Sequence, residues 1–70
     1  MKEIKIDTEY IKLGQLLKLA GVATSGVEAK ILILEGNIKV NDEVVIQRGK
    51  KLRDGDIITS QEGEYKIVKG

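Results

Sequence analysis

The spacing of hydrophobic positions changes period several times along this chain, and each change marks an element. Residues 2–6 alternate, with Ile4 and Ile6 on one face among Lys2, Glu3 and Lys5, which predicts a short half-buried strand. Leu13, Leu16, Leu17 and Ala20 then recur at helical spacing and predict a helix over about 13–20, closed by Gly21 in the left-handed conformation. After the short Val22-Ala23-Thr24 connection, Ser25 stands three residues before Glu28, the spacing of a capping box. In that motif the serine hydroxyl accepts from the Glu28 backbone N–H while the glutamate reaches back to the Ser25 N–H. The second helix runs through Ala29, Leu32 and Ile33 to a stop at Gly36. Ile31 and Leu34 widen its apolar surface, so most of this helix is expected to be buried.

Beyond Gly36 the period drops to two. Ile38 and Val40 face one way and Asn37 and Lys39 the other, Asn41-Asp42 forms a tight turn, and Val44-Val45-Ile46 returns as a strand. Arg53-Asp54-Gly55-Asp56 and Gln61-Glu62-Gly63 are further turns, leading into strands at Ile57-Ile58-Thr59 and Tyr65-Lys66-Ile67-Val68. The expected architecture is a single α+β domain over residues 1–70: a two-helix corner packed on a small, mostly antiparallel sheet with an extra N-terminal strand.

Composition narrows the chemistry. At 70 residues and 7.7 kDa the core is small, and with no Cys and no His neither disulfides nor Cys/His zinc sites can support it. No calcium-loop pattern is present, so no metal and no cofactor are expected. The same absences remove Ser-His and Cys-His nucleophile pairs and the commonest general base, which argues against an enzyme. Met1-Lys2-Glu3 leads into alternating residues, not an apolar leader, and no run approaches the ~20 apolar residues of a membrane span. The expectation is a soluble, cytoplasmic monomer.

The net charge is only +1, but its distribution is uneven. Between Lys12 and Arg53 there are eight basic and four acidic residues, a local +4, whereas Asp54–Glu64 carries four acidic and no basic ones. Arg48, Lys50, Lys51 and Arg53 put four cations into six positions and are candidate phosphate contacts. Tyr10 and Tyr65 are the only aromatics, so a multi-aromatic base-stacking platform is absent and both are expected to serve packing.

Ser25, Ala29, Leu32, Ile33, Gly36, Ile38, Val40 and Asn41, in this register, resemble the S-four RNA-binding domain family, named for small-subunit ribosomal protein four. Lys12-Leu13-Gly14 with Leu17, and the Asp54-Gly55-Asp56 turn, extend the likeness over about residues 12–58, and it is strongest to the small stand-alone bacterial members. The resemblance implies the family's two-helix corner, the α-L motif, and binding of structured RNA, with ribosomal RNA or a ribosomal particle as partner. It adds Lys12, Ser25, Gly26 and Lys30 to Arg48, Lys50, Lys51 and Arg53 as candidate RNA contacts. Ser25 serves first as a helix cap. Lys12, at a family Arg position, is preferred to Lys18, because six residues on one helix would set the two roughly 120° apart. Three positions depart from the family pattern: Gly26 replaces an Arg, Gly14 an Asp and Asp42 a Gly. Losing the Arg removes a bidentate phosphate ligand but leaves the helix N-terminus open to an anion.

Two other functions fit parts of the chain. A protein-interaction adaptor would use the same basic surface to dock an acidic partner. A ubiquitin-like sulfur carrier would account for Val40-Asn41-Asp42-Glu43-Val44 and Asp54-Gly55-Asp56, but its chemistry needs a C-terminal Gly-Gly where this sequence reads Val68-Lys69-Gly70.

Overall fold

The computed structural model describes residues 1–70, and the N-terminal alternation there becomes β1 (Lys2–Ile6). A two-residue strand, β2 (Ile11–Lys12), runs directly into α1 (Leu13–Leu19); α2 is Gly26–Leu34. The remaining strands are β3 (Lys39–Val40), β4 (Glu43–Val44), β5 (Lys51–Leu52), β6 (Ile57–Ser60) and β7 (Gly63–Lys69). Five strands form one sheet in the order β1-β7-β6-β3-β4, with β1 parallel to β7 and every other pair antiparallel. The expected α+β architecture and its added N-terminal strand are present. A second sheet, β2 with β5, was not expected, because two-residue strands carry too little alternation to be read.

Register explains the core. Val40 pairs with Ile58 and Ile58 with Tyr65, while Ile4 pairs with Ile67, so these side chains share one face of the sheet. They meet Leu13, Leu16 and Leu17 of α1 and Ala29 and Ile33 of α2 in one cluster of 15 buried residues. No polar or charged residue is buried, so the core is held by apolar packing, aliphatic except for Tyr65. Gly21 and Gly36 adopt φ of +80° and +77° and end the two helices as their spacing predicts.

Three local expectations need correction. The Ser25 hydroxyl does accept from the Glu28 N–H at 3.2 Å, but the Glu28 carboxylate reaches one residue further back, to the Thr24 N–H and hydroxyl at 3.2 and 3.1 Å. α2 is also far less buried than its composition suggested. Only Ala29 and Ile33 are enclosed, while Val27, Ile31 and Leu34 are 70, 50 and 58 % exposed. With spacing i, i+4, i+7 they form a stripe roughly 150° around the helix from the buried pair, where this small chain has no further layer. Finally, the return strand ends at Val44. The Val45 N–H still donates to Ile38 at 3.1 Å, but Asn37 is tied back to Leu32 at the end of α2, which leaves the exposed Ile46 no strand to pair with.

A polar clasp joins the β3–β4 hairpin to the turn before β6. The Asn41 amide donates to Asp56 Oδ1 at 3.0 Å and accepts from the Ile57 N–H at 3.0 Å, and Asp56 Oδ2 accepts from the Arg53 N–H at 2.8 Å. Asp54 Oδ1 accepts from the Lys69 N–H at 2.8 Å. The Asp54-Gly55-Asp56 turn is therefore a structural stitch. We expect Asn41→Ala to lower stability by about 1–3 kcal/mol in urea unfolding, since it strips partners from Asp56 and Ile57. The turn residues Asn41 and Asp42 have φ of +51° and +71°, the two-residue hairpin geometry that favours glycine at its second position. Asp42→Gly should accordingly raise stability by up to about 1 kcal/mol; a lower unfolding midpoint would contradict this account of the turn.

Candidate nucleic-acid interface

α1 begins without a side-chain cap. Its first free N–H groups are satisfied by the incoming basic segment: Leu13 donates to the Lys50 carbonyl at 2.9 Å and Gly14 to the Arg48 carbonyl at 3.0 Å. The ladder of Ile11 with Leu52 and Lys12 with Lys51 continues this contact, and buried Leu52 anchors it. Residues 48–53 are thus not a free loop. Their backbone is fixed on the N-terminal end of α1 and their charges project around it.

Gly14 is what permits the approach. A Cβ there would lie 2.7 Å from Arg48 Cγ, so the Arg48 stem occupies the space that any other residue would need.

The arrangement creates a depression of about 330 Å³ lined by Lys12, Gly14, Gln15, Lys18, Gly26, Arg48 and Gly49. Three cations border it and no carboxylate does. Gly26 is the first residue of α2, so the free N–H groups of that helix open nearby. A Cβ added at Gly26 meets nothing within 4 Å.

Of the residues singled out from sequence, Lys12, Gly26 and Arg48 meet at this depression. Lys50 contributes its carbonyl to the α1 contact and is exposed. Lys51 and Arg53 sit over the Tyr10 ring, 4.9 and 5.8 Å from its centroid. Ser25 caps α2 next to Gly26, and Lys30 lies exposed one turn further along α2, outside the lining.

Lys18 and Gln15 also border the depression, although the sequence reading does not place them there. Lys18 was set aside on a helical-wheel angle from Lys12, but Lys12 is extended, with φ −76° and ψ 146°, and lies before the helix. The wheel does not apply, and both lysines border the same depression. Tyr65 packs in the core as expected; Tyr10 does not, and is 38 % exposed.

The local electrostatics favour an anion. Lys12 and Lys51 face each other across the ladder, a like-charge pairing that works against the strand contact. The one ion pair in the chain joins Lys69 and Glu9, so none of Lys12, Lys18, Arg48, Lys50, Lys51 and Arg53 has a carboxylate partner. Glu9 is the nearby exception in sign. Its hydrogen bond to Lys69, then the charge of that ammonium and more weakly that of Arg53, hold its carboxyl below the usual carboxylate range.

A Gly→Ala change inside a helix ordinarily gains about 1 kcal/mol. For Gly14→Ala we expect no gain in the unfolding midpoint and a displaced Arg48 side chain, read from its guanidinium NMR signals; a stabilised variant with unmoved Arg48 would refute the proposed packing.

Comparison with known proteins places this geometry in context. A family model described as "S4 domain", the S-four family named above, matches residues 4–68 and so takes in β1 and β7 as well as the corner. The chain is 47 % identical over 66 residues to a protein of Bacillus subtilis named "Probable ribosome maturation protein RlbA", covering 93 % of each chain. It is 38 % identical over 59 residues, 84 % of each chain, to an Escherichia coli protein named "Putative RNA-binding protein YbcJ".

Proposed function

The chain belongs to the S4 domain family, and from that membership and the geometry of its corner we propose that it is a non-catalytic RNA-binding protein. Its target is structured RNA, with ribosomal RNA the favoured class, since the relatives' names speak of ribosome maturation and RNA binding. It acts in the cytoplasm as a monomer. No helix is long and apolar enough to cross a membrane.

The observation that carries this reading is the depression bordered by Lys12, Lys18 and Arg48, with no carboxylate in its lining and the start of α2 at its edge. A phosphate group seated there would meet three cations and relieve the Lys12–Lys51 repulsion. Lys50, Lys51 and Arg53 extend the positive surface along the backbone of the RNA, and Lys30 widens it on the α2 side. Recognition by phosphate contacts and shape requires affinity to fall with salt as counterions are released.

Titration of a ribosomal RNA hairpin, with a matched DNA duplex as control, tests the reading. Replacing Lys12, Lys18 and Arg48 together by Ala should weaken RNA binding at least about tenfold at moderate salt and flatten the salt slope by about 2–3. Gly26→Arg should do the opposite, tightening binding and steepening the slope by about 1, because the position has room for the side chain that many family members carry. Unchanged affinity and slope in both variants would remove the corner from the interface; no nucleic-acid binding at all would favour an acidic protein partner.

A further inference from the structure

A second, larger groove adjoins the basic depression. It follows the connection from β1 into β2 and the side of α1, has a volume of about 890 Å³, and carries three apolar side chains, Tyr10, Ile11 and Leu19, with one carboxylate, Glu9, whose charge is paired with Lys69. Lys12, Gln15 and Lys18 line both the groove and the depression, so the two form one continuous surface. Neither Lys51 nor Arg53 lines the groove, although both approach the Tyr10 ring. Tyr10 itself lines the groove and is 38 % exposed, so part of it is open on that side.

An exposed aromatic ring, steadied by two cations and set beside aliphatic walls, is a stacking surface for one planar group. Lys12 and Lys18 stand at the boundary where a phosphate attached to that group would lie. Gln15 supplies at the same boundary an amide with both donors and an acceptor, and its side chain is exposed.

We propose that the groove is a binding site for a single unpaired nucleobase of the RNA, stacked on Tyr10 while its flanking phosphate occupies the Lys12–Lys18–Arg48 depression. This rests on the RNA-binding reading above and sharpens it: the preferred RNA carries an extruded base beside a helical stem, and is not a continuous duplex. One aromatic suffices because only one base is taken. The rest of the contact remains phosphate and shape.

The test uses three RNA hairpins of one stem sequence: one with a single bulged adenosine, one with an abasic residue at the bulge, and one fully paired. The abasic hairpin keeps the backbone and its bend while removing the stacking base. The expected result is that the adenosine bulge binds at least about fivefold tighter than its abasic counterpart. Tyr10→Ala should abolish that preference, the two RNAs then binding alike, whereas Tyr10→Phe should retain it. Binding of the bulged adenosine should also quench tyrosine emission, and the quench should vanish in Tyr10→Ala, where only the buried Tyr65 remains. Circular dichroism confirms that each variant is folded. Equal affinity for the adenosine and abasic bulges, or a preference that survives Tyr10→Ala, overturns the nucleobase site while salt-dependent binding to all three RNAs leaves the parent reading standing. No binding to any of the three overturns both.

Discussion

Two backbone hydrogen bonds set the geometry of the whole corner: those from Leu13 and Gly14 to the carbonyls of Lys50 and Arg48. A helix start without a side-chain cap leaves donors that must find acceptors. Here the acceptors come from a segment 34 or more residues away in sequence, so capping α1 and positioning the basic residues are the same event. The β2–β5 ladder sets the register of that contact, and Leu52 anchors it in the core. Without it, Arg48 to Arg53 would be a solvated run of charge. With it, Arg48 is held across the start of α1, facing Lys12 and Lys18, and Lys51 and Arg53 are held over Tyr10.

This coupling also explains which parts of the structure were legible in advance. The helices, their glycine stops, the Ser25 cap and the Asn41-Asp42 turn are local: each is encoded within a few residues, and each was read from spacing and turn chemistry. Long-range features were not legible. The β2–β5 pair joins two-residue segments forty positions apart, which no local period can announce. Lys18 was lost for a related reason, because the boundary between strand and helix falls between Lys12 and Leu13 and decides whether a helical-wheel argument applies. Tyr10 looked like a packing residue because aromatics usually are, and only the tertiary placement of Lys51 and Arg53 reveals its exposed ring.

The uneven charge, by contrast, divides into two roles. The basic half is almost free of internal partners, so its field points outward. Much of the acidic half is used internally. Asp54 and Asp56 accept backbone N–H groups from Lys69 and Arg53, and Asp56 also accepts from the Asn41 amide. These carboxylates are consumed by the stitching of β7 and the hairpin, and they contribute to holding the basic face in shape. A chain of net charge +1 can therefore present a cationic surface without becoming basic overall.

Where local rules are broken bears on function, because a sequence optimised only for its fold has no reason to break them. At the corner three are broken together. Lys12 faces Lys51 across a ladder, a glycine occupies the first turn of α1, and an aromatic residue is left 38 % exposed. On the proposed reading all three would become favourable with an anion and its attached planar group bound: the anion would relieve the repulsion, Gly14 admits Arg48 to the site, and the ring would gain a stacking partner. The exposed stripe of Val27, Ile31 and Leu34 is a departure of a different kind. It carries no charge and lies on the side of α2 away from the core, where a chain with one sheet and two helices has run out of material to cover it. Size alone accounts for the stripe, whereas size accounts for none of the three departures at the corner, and that difference is why the corner is the place to look for function.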